Sequence, residues 1–208
     1  MNTLSGRRLY GILDTGYVPA ERMILMTRSL LAGGVQILQL RAKKETPLAI
    51  LAMAREIAPL CRAAGVPFLI NDHPELVPEA GADGAHIGQE DMTVAEARRL
   101  AGPGSLIGKS THSTEQVLAS VGECPDYIGF GPLFATPTKP DYQPVGTDQI
   151  RTVVDSVSYP VYCIGGISAG NLPHVLAAGA QNVVLVSDLL KAKDPTAHAA
   201  LCRSLLAS

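Results

Sequence analysis

The sequence predicts an α/β chain folded as one (β/α)8 barrel, a TIM barrel, with its active site at the C-terminal ends of the strands. Three observations lead there. Eight short apolar or β-branched runs alternate with amphipathic stretches, most of which end near a glycine. The runs are almost continuously apolar, as parallel strands buried on both faces must be. Eight such units in 208 residues match the lower size limit of that fold, about 200 residues. An open doubly wound sheet would use five or six strands, and no G-x-G-x-x-G follows the first run. No composition shift or low-complexity stretch divides the chain, so residues 1–208 read as a single barrel domain.

The strands are expected at residues 9–13, 37–41, 67–71, 84–87, 106–110, 127–130, 161–164 and 182–186. Helix signals lie between them. Thr46-Pro47 reads as an N-cap followed by proline at the first helical position, and the apolar pattern continues to a stop at Gly65. Thr93 with Glu96, and Ser113 with Gln116, have capping-box spacing, each side chain satisfying an orphan backbone donor of the other. Asp194-Pro195 opens the last helix in the manner of Thr46-Pro47. One connection is long. Residues 131–146, GPLFATPTKPDYQPVG, contain four prolines, and structureless loops beyond about 12–15 residues usually serve as lids or binding loops. A mobile lid hinged at Gly131 and Gly146 is expected.

Composition excludes several classes. Apolar residues make up 47% and charged residues 17%, enough for a sizeable core. No apolar run approaches the roughly 18 residues of a membrane span, and MNTLSGRRLYGIL has no signal-peptide h-region. A net charge of −2, with no Trp, argues against a nucleic-acid surface. The expected partners are therefore small molecules, with no nucleic acid and no membrane, and assembly into a homo-oligomer stays open. Cys61, Cys124, Cys163 and Cys202 form no C-x-x-C pair and read as buried or half-buried thiols of a cytoplasmic protein. Cys163 has no evident base, Ser110 and His112 make no nucleophile elbow, and His86 with His112 lacks the other ligands of a zinc site.

In a parallel barrel the reacting groups sit where the βα loops converge. Read against that rule, one face collects the polar residues. Gln39, Arg41 and Lys43 alternate to one side at the second strand end. Asn71-Asp72 closes the third strand, and the fourth leads through His86 to Asp91. Ser110 ends the fifth, Thr136, Thr138 and Lys139 lie in the long loop, and Gly165-Gly166 and Ser187 end the last two. Asp72 and Asp91 offer hard oxygen donors beside Arg41, Lys43 and Lys139, the composition of a metal–diphosphate clamp. The same two acids also suit turns and caps, and the cations suit solvated strand ends. Gly165-Gly166 and Ser187 occupy the place of the phosphate site often formed after strands seven and eight.

These residues belong to longer motifs: QLRAK at 39–43, FLINDHPELVPEAGADGAHIGQED at 68–91, GKSTHS at 108–113, DYIGFGPLFATPTK at 126–139, IGGI at 164–167 and GAQNVVLVS at 179–187. Together, and in this order, they resemble the thiamine-phosphate synthase family. The resemblance implies a (β/α)8 transferase that condenses hydroxymethylpyrimidine diphosphate with hydroxyethylthiazole phosphate, releasing diphosphate first and capturing the pyrimidine-methyl cation with the thiazole nitrogen. It implies that Gln39, Leu40, Arg41, Ala42, Lys43, Asn71, Ser110 and Lys139 hold the pyrimidine diphosphate. Arg41, Lys43, Lys139 and Ser110 would act in catalysis, and Asp72 and Asp91 would hold one Mg²⁺ per subunit. Thr136, Pro137, Thr138, Gly166, Val186 and Ser187 would hold the thiazole phosphate. The chain departs from the family pattern at LYGILD, where Gly11 and Leu13 replace a bulkier residue and a threonine and Asp14 has no assigned role. Two rivals share the fold: a thiazole tautomerase, which has no use for the full diphosphate set, and a non-catalytic barrel that senses thiazole phosphate.

Overall fold

The computed structural model describes residues 4–136 and 143–207. Eight strands run β1 (Leu9–Asp14), β2 (Ile37–Arg41), β3 (Phe68–Asn71), β4 (Gly84–Ile87), β5 (Leu106–Thr111), β6 (Tyr127–Phe130), β7 (Val161–Cys163) and β8 (Asn182–Leu185). Each pairs in parallel with the next, and β1 pairs with β8, so the sheet closes into the expected barrel. The helices are α1 (Met23–Ala32), α2 (Pro47–Ala63), α3 (Val77–Ala80), α4 (Val94–Ala101), α5 (Thr114–Ser120), α6 (Ile150–Ser156), α7 (Leu172–Ala177), α8 (Ser187–Leu190) and α9 (Pro195–Ala207). Among the described residues no helix is long and apolar enough to cross a membrane.

The helix signals act where the spacing places them, with one correction. Thr46 accepts from the Ala49 N–H at 3.3 Å, and Thr93 with Glu96 forms the full reciprocal box. Ser113 caps the Gln116 N–H, but Gln116 turns its Oε1 to the His112 N–H at 2.7 Å instead of to Ser113. Half a box forms, because the extended chain entering α5 offers the preceding N–H instead. Asp194 accepts from the Ala197 N–H at the start of α9.

Two apolar clusters follow from strand alternation. Residues pointing outward pack against the helices, while Tyr10, Ile12, Ile37, Leu69, Leu106, Tyr127, Tyr162 and Val184 fill the barrel interior. Tyr10, Tyr127 and Tyr162 meet edge to face with ring centroids 5.4–5.9 Å apart. Gly108 makes this possible, since a Cβ there would stand 2.0 Å from the Tyr127 ring. The interior is therefore filled below by side chains, and a cavity opens at its C-terminal end.

The long loop departs from the expectation at its first hinge. Leu133 and Phe134 donate to the Ile164 and Gly165 carbonyls, and Val145 and Gly146 donate back to Pro132 and Leu133. The limb after Gly131 is thus anchored on the end of β7, not hinged there. Residues 137–142, and with them the expected roles of Pro137, Thr138 and Lys139, lie outside the described residues.

Candidate active site

A cavity opens at the C-terminal ends of the strands. Tyr10 and Tyr127 form its floor, and Ile12, Ile164, Val184 and Val186 give it apolar walls. Gln39, Arg41, Asn71, Ser110, Thr136, Gly166, Val186 and Ser187, all expected from the sequence, line it together. Lys43, Asp72 and Asp91 do not line it but cluster beside Asn71. Leu40 and Ala42 point the other way, into the layer between barrel and helices, so only their backbone is available to a ligand.

Arg41 is held from beneath. Its Nη1 donates to Asp14 Oδ2 at 2.6 Å, and Asp14 also accepts from the Gly16 N–H at 2.8 Å. β1 and β2 put the two residues directly opposite each other. Asp14 therefore fixes the guanidinium at the cavity wall, which gives the unassigned acid of the first strand a place.

The acidic pair is equally specific. Asp72 adopts a left-handed backbone, φ 63°, immediately after Asn71, and forms an ion pair with Lys43. Burial raises its carboxyl above the usual range; Lys43 opposes this, and Asp91, within hydrogen-bonding reach, pushes it further up. Asp91 in turn accepts from the Gly88 N–H at 2.6 Å. Two crowded carboxylates whose charges disfavour each other form a hard-oxygen donor set that a divalent cation would relieve. The pair fits Mg²⁺.

Beneath the ligand space runs a buried hydrogen-bond chain. Gln39 Nε2 donates to the Tyr10 hydroxyl at 2.5 Å, and Tyr10 and Tyr127 share a bond of 3.0 Å. Tyr127 meets His86 Nδ1 at 3.0 Å, and His86 Nε2 meets Ser110 Oγ at 2.9 Å. Gln39 Oε1 is buried without a partner. Burial drives the Tyr10 and Tyr127 phenols well above their ordinary value, so both stay protonated.

At the opposite end, Gly165 and Gly166 have φ of 98° and 65°. A Cβ on Gly166 would stand 2.7 Å from Phe134 Cβ and 3.0 Å from the Ala135 carbonyl. The paired glycines thus let the long loop close against β7, in addition to baring their backbone to the cavity. Gly166 and Ser187 also border a groove that contains Lys191 and Lys193, two cations the sequence reading did not single out.

The family model described as thiamine monophosphate synthase matches residues 9–189. The chain belongs to that family. A thiamine-phosphate synthase of Thermus thermophilus is 43% identical over 187 residues, covering 89% of this chain and 90% of its own. One from Chloroflexus aurantiacus is 39% identical over 200 residues, covering 96% and 92%. The solved thiamine phosphate pyrophosphorylase from Pyrococcus furiosus superposes with a TM-score of 0.89 at 29% identity, covering 99% of this chain and 96% of its own. The resemblance read from the motifs is met, and with it the transferase activity of a thiamine-phosphate synthase.

Within this thiamine monophosphate synthase barrel the cysteines stay outside the cavity lining. Burial pushes the Cys61 and Cys163 thiols up to about 12 and Cys202 up to about 11. Cys124, expected to be at least half-buried, is exposed, because it sits at φ 54° in the turn after residues Val121–Glu123. Asp188, His198 and Cys202 lie together between α8 and α9, where Asp188 accepts from His198 Nε2 at 2.6 Å and from the Ala169 N–H at 3.0 Å. That arrangement ties the last helix to the loop after β7.

The sequence reading missed the roles of Tyr10, Tyr127, His86, His112 and Asp14. His112 Nδ1 meets the Gly131 carbonyl at 2.5 Å and holds the base of the long loop. The alternation of β1 does place Tyr10, Ile12 and Asp14 on one side, which is the signal that would have found Tyr10 and Asp14.

Proposed function

We propose that the cavity joins hydroxymethylpyrimidine diphosphate to hydroxyethylthiazole phosphate, and that its two ends divide the substrates. The observation that supports this most is the segregation of charge. Arg41, Lys43, Asn71 and the Asp72–Asp91 pair lie at one end, the bare glycine backbone and Ser187 at the other, with apolar walls between. The diphosphate would be taken by Arg41, Lys43 and Asn71, and the thiazole phosphate by Gly166, Ser187 and Thr136. Thr138, Pro137 and Lys139 complete the reading as residues of the loop.

The chemistry follows from what the chain supplies. The cavity lining holds no activated nucleophile among the described residues, so a step that needs none suits it: the C–O bond to diphosphate breaks and the thiazole nitrogen captures the carbon. Arg41, immobilised by Asp14, presents fixed positive charge where the leaving group gains negative charge. Lys43 exchanges its Asp72 contact for the diphosphate. Ile12, Ile164 and Val184 keep water from the cationic carbon. Mg²⁺ bound by Asp72 and Asp91 would add charge neutralisation on the diphosphate. A cytoplasmic location and a single catalytic unit per chain belong to the same reading.

The purified protein, given both substrates, is expected to release thiamine phosphate and diphosphate in equal amounts and to stop on addition of EDTA. A tautomerase would convert the thiazole alone, and a sensor would bind a phosphate ligand without product. Either result would replace this reading.

A further inference from the structure

The buried chain under the cavity has a direction, and that direction is set at one end. Each member has a fixed count of protons. Gln39 Nε2 donates to Tyr10, so the single Tyr10 proton goes to Tyr127. Tyr127 then has one proton left for His86 Nδ1, which must accept it. A neutral imidazole that accepts at Nδ1 holds its proton on Nε2 and donates to Ser110 Oγ. The Ser110 hydroxyl proton is thereby released toward the cavity. If Gln39 turned its Oε1 to Tyr10 instead, every bond would reverse and Ser110 would donate to His86, leaving only an acceptor for a ligand.

We propose that Tyr10, Tyr127 and His86 are positioning residues that couple Gln39 to Ser110, so that a ligand N–H taken by Gln39 Oε1 makes the Ser110 hydroxyl a donor to the same ligand. This inference rests on the proposed function for the identity of the ligand, the pyrimidine substrate with its amino group. The relay itself stands on the distances. The unpartnered Gln39 Oε1 is the complementary observation, for a buried carbonyl oxygen left unpaired is costly until something donates to it. Both tyrosines are buried, so no solvent competes for their protons. Gly108 leaves room for the Tyr127 ring, which stacks on His86 with centroids 5.6 Å apart. Recognition at one end and donation at the other are then one event, and a ring lacking the N–H would meet the wrong face of Ser110.

The test reads the His86 proton directly. In ligand-free protein labelled with ¹⁵N-histidine, the ring-nitrogen spectrum should show His86 protonated on Nε2. Ionised, Gln39→Glu offers Tyr10 an acceptor only, so above the pH at which that buried carboxyl loses its proton the relay should reverse and the His86 proton should move to Nδ1, three hydrogen bonds from the substitution. Adding Tyr127→Phe, which removes one hydroxyl and keeps the ring, should abolish that response. Kinetics give a second readout should Gln39→Glu not fold. Tyr127→Phe and Ser110→Ala should each lower kcat by about 10-fold or more, and the double variant should lose no more than Ser110→Ala alone. A proton on Nδ1 in the unsubstituted protein, an unchanged tautomer once the Gln39→Glu carboxyl is ionised, or additive kinetic losses would overturn the relay. A tautomer switch in a protein that makes no thiamine phosphate would support the relay while refuting the proposed function.

Discussion

Replacing Asp14 by Asn removes one charge from an almost buried ion pair and keeps the shape of the side chain. The Asp14 side chain is 4% exposed and that of Arg41 16%, and they meet at 2.6 Å. Stripping one partner from a buried pair costs roughly 3–5 kcal/mol, since the survivor stays desolvated and unpaired. Arg41 borders the cavity and can recover some hydration there, which places the loss near the lower bound, about 3 kcal/mol. For a chain of this length each kcal/mol moves Tm by about 2–4 °C, so a fall of about 6–12 °C is expected. Asn keeps an oxygen for the Gly16 N–H, so the loss reports on the ion pair. The freed guanidinium also loses its aim, and kcat should drop about 10²-fold, the scale of one misplaced electrostatic donor. The double variant Asp14→Asn, Arg41→Met removes the orphaned charge and should regain most of the stability without regaining activity. Thermal and urea denaturation with steady-state turnover, on the unsubstituted protein and the two variants, are sufficient. An Asp14→Asn protein with unchanged midpoint and unchanged kcat would refute the argument that Asp14 positions Arg41.

Asp91→Asn keeps an acceptor for the Gly88 N–H and should fold normally, yet lose most activity; wild-type rate in excess Mg²⁺ would remove Asp91 from the metal set. Burial pushes the Glu123 carboxyl up, but the Lys109 ammonium at 2.5 Å and the Val94 N–H more than offset this and hold it below its ordinary value. Its contribution to stability is therefore full above about pH 4.3 and fades as pH falls through the lowered folded value. The stability gap between the protein and Glu123→Gln, measured in urea from pH 7 to 3, should narrow in that direction, and a constant gap would contradict it. Gly166→Ala forces a left-handed alanine against Phe134 and Ala135 and should cost about 1–3 kcal/mol, with a raised KM for the thiazole phosphate. Thermal melts and kinetics of that variant would sink the packing argument by showing neither change.

The barrel was legible because its signals are local and repeated. Near-continuous apolar runs, glycine stops and caps such as Thr46 and Thr93 each act within a few residues, and eight of them agree. The residues closing each strand were legible for the same reason: once the strands are placed, alternation delivers Gln39, Arg41, Asn71 and Ser110 to one cavity. Contacts between distant strands were not legible. Asp14 reaching Arg41 and Tyr127 reaching Tyr10 depend on register around the closed sheet, which no window of sequence encodes. Tyr10, Tyr127 and Tyr162 look like ordinary core residues along the chain; only in the closed barrel do two of their hydroxyls join a line toward Ser110. Lys43 illustrates the middle case. Alternation places it with Arg41, but β2 ends at Arg41 and Lys43 leaves the strand to meet Asp72 instead.

The central claim is that one cavity holds both substrates in a fixed order. A crystal structure of the protein with thiamine phosphate, diphosphate and Mg²⁺ tests it most directly. The account predicts the pyrimidine ring between Gln39 and Ser110, the diphosphate on Arg41, Lys43 and Asn71 beside the metal on Asp72 and Asp91, and the thiazole phosphate against Gly166 and Ser187. Density for the product confined to the outer groove at Lys191 and Lys193, with the strand ends empty, would contradict it.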